Sequence, residues 1–150
     1  MVTFGYFSVI LSVKPLTRSI PVRSLLGELR TALLHLHKTL IDWQRAEYEL
    51  DHGTMAPMQL LQVIFNDEQF AWLRSMSGLI VRIDEALAAK PPEVPAVASL
   101  ITQARELASP AAGSAYAERY HAALQELPEV VLAHRDLVTL LKLHNPPAKA

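Results

Sequence analysis

Two stretches of the chain place a glutamate three residues before a histidine: Glu49 and His52 within EYELDHG at 47–53, and Glu118 and His121 in ERYH at 118–121. On a helix such a pair shares one face. Two Glu-x-x-His pairs, with a glutamate from each of two further helices, form the ligand set of a carboxylate-bridged di-metal bundle. That chemistry needs every ligand to project into the bundle core, which the helical advance of about 100° per residue can test. Glu47 falls on the apolar stripe, seven after Leu40 and three before Leu50. Glu49 lies roughly 200° further round and faces away from the stripe. Tyr116, Tyr120, Ala123 and Leu127 define the inward face of the second segment, leaving Glu118 and His121 off it. Both pairs read as solvent-facing neighbours, and no metal is expected.

The same geometry promotes other side chains. Glu47 and Asp51 are four apart within the apolar arc, and His134 continues the face of Val130, Val131, Leu137, Val138 and Leu141. Charged groups on apolar stripes need partners, because an unpaired buried charge costs several kcal/mol. Burial raises a carboxylate pKa, whereas an adjacent imidazolium lowers it. One reading is a polar ligand pocket built from Glu47, Asp51 and His134, with His37 as a further member. The other gives each group a structural partner: arginine or solvent for the acids, a core hydrogen bond for His134. His35 and His37 would share a face only on a strand. No phosphate-cradling glycine loop, Gly-x-Ser-x-Gly elbow or His-Glu-x-x-His motif occurs, so no catalytic residue and no cofactor is expected.

Composition narrows the classes further. At 150 residues the chain reads as one domain large enough for a real core. With no cysteine, disulfides, zinc thiolates, iron–sulfur clusters and thiol catalysis are all excluded, which fits a cytoplasmic protein. Residues 1–23 carry Lys14, Arg18 and Arg23 and no acid, so the remainder is mildly acidic and lacks the basic stripe that nucleic-acid binding requires. The apolar run Val2–Val13 is too short to span a bilayer and makes a poor secretory signal, so a membrane role is not favoured. Residues 1–23 read as an N-terminal extension: an irregular arm on the core, a targeting segment or an over-long start.

From Ser24 the pattern is helical. Leu26, Leu29, Leu33, Leu36, Leu40, Trp43 and Leu50 recur three or four apart, with Ser24 expected as the cap and Gly53 as the left-handed stop. A second helix is expected after Thr54 with Pro57 in its first turn, and Asn66 or Asp67 should cap a third carrying Trp72, Met76, Leu79, Ile80 and Ile83. KPPEVP at 90–95 reads as a linker. A shorter helix to Ala108 follows, then Ser114 as the cap of a segment that Pro128 divides into 115–126 and 128–144. The expected fold is all-α, a four- to five-helix bundle over 24–144 with proline-marked connections and a frayed tail at 145–150.

Leu34, Ile41 and Tyr48 repeat every seven residues beside the main stripe, and Phe70, Arg74 and Val81 lie off or at the fringe of theirs. Aromatics and arginine on such surplus faces are typical of partner-binding patches. Together with those faces, LHKTLIDWQRAEYELDHG and LLQVIFNDEQFAWLRSMSGLIVRIDEAL are notable. This region, residues 24–88, resembles a family of small uncharacterised all-helical bacterial proteins. The resemblance implies a bacterial, cytosolic helical domain and assigns no activity to any residue. The expected function is a non-enzymatic protein-interaction or regulatory module that self-associates as a homodimer. The competing expectation is a ligand- or metal-binding bundle.

Overall fold

The computed structural model describes residues 21–89 and 94–144. Among them every regular element is helical, and there are six α-helices: α1 (Val22–His52), α2 (Pro57–Asn66), α3 (Arg74–Ala88), α4 (Val94–Ala108), α5 (Ala115–Glu126) and α6 (Pro128–Leu143). A 3-10 segment, Glu68–Leu73, joins α2 to α3. Residues 1–20 of the expected N-terminal extension, 1–23, and the tail at 145–150 lie outside the described residues.

The spine is α1, whose 31 residues run about 46 Å at 1.5 Å per residue. Its predicted stripe forms the core as far as Trp43: Leu26, Leu29, Leu33, Leu36 and Leu40 have no exposed surface, whereas Leu50, expected on the same stripe, is at the surface in the last turn, beyond the packed length of the stripe. Burying each leucine contributes about 1.5–3 kcal/mol before conformational entropy is subtracted. Around this stripe pack α6, α3 and the 3-10 segment; α4 bridges α3 and α6, and α5 joins α6 to the 3-10 segment. The start of α1 differs from the expectation. Pro21 occupies the cap position, no side chain caps the helix, and Ser24 lies in the first turn. The bundle therefore begins at Val22 rather than Ser24, and Arg23 donates to the carbonyls of Leu87 and Ala89 at the far end of α3.

The stop at Gly53 does use a positive φ of 83°, but with an extended ψ of 169° rather than the left-handed helical value. Its N–H donates to the Glu49 carbonyl at 2.9 Å. Glu49 then locks the turn. Its Oε2 accepts from the Met55 N–H at 2.9 Å and from Arg45 Nε at 3.0 Å. These two bonds, the backbone one foremost, hold its carboxyl below the usual carboxylate range. Thr54 is not a cap, since α2 starts from Ala56 with Pro57 in its first turn and no side-chain bond. Val94 and Pro95, read as linker, form the first turn of α4, where a proline lacks no hydrogen bond. Ser114 caps α5 as expected, accepting from the Ala117 N–H at 3.0 Å, and Pro128 opens α6.

The chain departs most from a regular α reading at 68–73. Asp67 Oδ1 accepts from the Gln69 N–H at 2.8 Å and starts a 3-10 winding. At three residues per turn, positions i and i+3 fall on one face. Phe70 and Leu73 therefore both enter the core, in line with Met76, Leu79, Ile80 and Ile83 of α3. Trp72, expected on that inward stripe, is moved to its half-buried flank.

Candidate functional site

A cleft of about 650 Å³ opens between the last turns of α1, the 3-10 segment and the first turn of α5. Its centre is a side chain that the stripe of α1 buries without burying a charge. Gln44, one turn past Leu40, is 2 % exposed. Its Oε1 accepts from Trp72 Nε1 at 2.7 Å and from an Arg119 terminal nitrogen at 2.9 Å. Its Nε2 donates to Glu47 Oε1 at 3.2 Å, and the same oxygen accepts from Arg119 at 2.7 Å. The Arg119 guanidinium lies 4.3 Å from the Trp43 ring centre and 5.8 Å from that of Trp72, within cation–π range. Trp43 Nε1 in turn donates to Glu126 at 2.9 Å.

Aromatic rings extend this network into the bundle. Trp72 tilts against Tyr116 at 5.9 Å, and Tyr116 stacks on Tyr120 at 5.4 Å. The Tyr116 hydroxyl donates to the Leu107 carbonyl at 2.7 Å. Burial pushes both phenol pKa values upward, for Tyr116 with an added contribution from Tyr120. Tyr120 Oη lies 2.7 Å from His134 Nδ1. Burial, and secondly the nearby His121, pull the His134 pKa below its ordinary value. A neutral His134 protonated on Nε2 accepts the Tyr120 hydroxyl at Nδ1.

The expected pocket residues are thus divided. Glu47 and Asp51 do line the cleft, together with Glu68. His134 does not line it; its partner is a tyrosine, as the hydrogen-bonded alternative held. His37 sits ten residues before Glu47 on α1, about 15 Å along the axis, and burial lowers its pKa too. A four-member ligand set of Glu47, Asp51, His134 and His37 is therefore not assembled. The two Glu-x-x-His pairs stay apart: His52 stacks on Tyr48 at 3.9 Å, while Glu118 and His121 are exposed. Among the described residues no three His, Asp or Glu side chains group as a metal site.

The expected interface residues also separate. Phe70 and Tyr48 are buried against each other at 5.8 Å, so neither is available to a partner. The reason is the 3-10 winding, which turns Phe70 inward and lays it over the flank of α1. Ile41 is half-buried against the core. Arg74 is exposed but donates to the Asp67 carbonyl at 2.9 Å. Leu34 and Val81 remain at the surface, on α1 and α3.

A different apolar face stands open. α2 buries none of its residues. Leu60, Val63 and Ile64 lean on the core, chiefly through the 3-10 segment. Met58, Leu61 and Phe65, spaced three and four apart on one face, are 67 %, 47 % and 68 % exposed. Leu50 on the last turn of α1 is 85 % exposed. Pro57 marks the start of α2 in the sequence, but the number of its faces that a neighbour covers is not written there. Gln44 could have been found from its place four after Leu40 on the stripe. Arg119, next to the inward Tyr120, carried no comparable signal.

No helix among the described residues is long and apolar enough to cross a membrane. Comparison of the chain with protein-family models, curated proteins and solved structures finds no match.

Proposed function

We propose that this chain is a non-enzymatic interaction module that self-associates through α2, pairing Met58, Leu61 and Phe65 with the same face of a second copy. The observation that carries this reading is that α2 exposes all three of these side chains while burying none of its residues. A twofold interface sets a patch against itself, so like charges in it repel. Every residue of α2, PMQLLQVIFN, is uncharged, which suits self-pairing better than pairing with a charged partner. Three side chains at these exposures offer on the order of 350 Å² per copy, below the ~800 Å² of a stable complex and in keeping with a weak, reversible dimer. A reducing location such as the cytoplasm fits the absence of cysteine.

Sedimentation velocity across a hundredfold range of concentration tests it. The wild-type chain should shift from monomer towards dimer, and L61E/F65E should remain monomeric with unchanged far-UV circular dichroism. A wild-type chain that stays monomeric throughout, or a double variant that dimerises equally well, sinks the proposal.

A further inference from the structure

The cleft beside Gln44 is independent of the α2 face, and its size falls in the range of small-molecule sites, roughly 300–1,000 Å³. One wall is aromatic and held in place: the Trp72 indole is bonded to Gln44 and the Tyr116 hydroxyl to the Leu107 carbonyl. Rings fixed in this way lose little rotamer freedom when a ligand arrives. The lining contains one cation and three carboxylates. The cation, Arg119, is engaged by Glu47 and Gln44 and lies over Trp43, so its charge is matched within the wall itself. Asp51 on α1 and Glu68 on the 3-10 segment remain, and among the described residues neither is hydrogen-bonded or ion-paired through its side chain.

Two carboxylates without a side-chain partner among the described residues, beside one indole and one phenol ring, favour a ligand that is positively charged at its polar ends and apolar between them. Ammonium groups gain from the carboxylates by Coulomb attraction and from ring faces by cation–π contact. A methylene chain gains by covering Trp72 and Tyr116. An anion meets the opposite balance, because the one arginine is already occupied. We propose that the cleft binds a small organic dication, an alkyl diamine whose ammonium groups pair with Asp51 and Glu68 and whose chain lies on the Trp72–Tyr116 wall.

Cadaverine is the probe, titrated into the full chain and followed by calorimetry and by the NMR signal of the Trp72 indole N–H. Glutarate, of equal length and opposite charge, is the control ligand. The expected result is saturable cadaverine binding with Kd of about 1 mM or tighter, a progressive shift of the Trp72 signal, and no response to glutarate. D51N/E68Q should weaken binding at least about tenfold, whereas E85Q, an exposed acid on α3, should leave it unchanged. Both Asp51 and Glu68 are exposed, so the double variant should keep its thermal unfolding curve, which is checked alongside. Absence of saturable cadaverine binding, equal binding by D51N/E68Q, or preferential binding of glutarate overturns the proposal.

Discussion

Gln44 joins α1, the 3-10 segment and α5 through one amide group. Replacing it by leucine keeps the volume but strands the Trp72 N–H and removes one of the two acceptors of Arg119. A buried donor left unmade costs about 1–3 kcal/mol, so Q44L should lower the unfolding free energy in urea by about 2 kcal/mol. His134 has a different signature. Its folded pKa lies below the ordinary value of 6.5 because burial, then His121, disfavour the charged ring. The unfolded chain therefore binds the extra proton first as pH falls, and stability rises with pH across that window. His37, lowered by burial, acts with the same sign. The penalty should be absent above 6.5, begin as pH falls through it and be complete below the lowered folded values. Thermal melts between about pH 8 and pH 5 should show this decline, and H134Q should flatten part of it; an identical slope in H134Q would refute the assignment.

At the scale of elements, the chain's local signals act with different strength. Ser114, with its hydroxyl on the Ala117 N–H, starts the helix that carries Tyr116, Arg119 and Tyr120. S114A should cost about 1 kcal/mol in chemical denaturation, the usual worth of such a cap. Prolines mark helix starts because the ring removes a donor wherever it falls: Pro57 and Pro128 stand in first turns as expected, and Pro95, expected in the linker, stands in one as well. Hydroxyl caps at the two earlier helices do not form, since Ser24 and Thr54 were displaced by Pro21 and Ala56. A proline that fixes φ for helix entry can outweigh a hydroxyl a few residues away. The 3-10 segment was invisible to a reading at 100° per residue. Its winding depends on Phe70 and Leu73 reaching a core that other elements build.

For the whole molecule, α1 is the axis and α2 the outlier. Five of the helices share one core around the α1 leucines, while α2 leans on it with one side and leaves the other open. If that side closes on a second copy, folding is linked to association. The apparent Tm should then rise with protein concentration in the wild-type chain and stay flat in L61E/F65E. Differential scanning calorimetry over a hundredfold range of concentration measures this directly, and parallel behaviour of the two proteins would exclude the linkage.

The division between what was readable and what was not follows the range of the interactions. Helical class, the α1 stripe, the break at Pro128 and the Ser114 cap depend on residues within a turn or two of one another, and periodicity and backbone chemistry determine them from the sequence alone. Glu47 and Asp51 were recognisable as neighbours for the same reason. That Gln44 rather than Glu47 is buried, that Arg119 reaches it from 75 positions away, and that His134 meets Tyr120 instead of a carboxylate depend on how helices cross. The same holds for Phe70 and Tyr48, whose burial required the 3-10 turn to fold over α1, and for α2, whose outer face lacks a neighbour among the described residues. A one-dimensional pattern specifies which side of a helix is apolar. Only the packing of all the helices decides which apolar sides find cover and which polar groups meet.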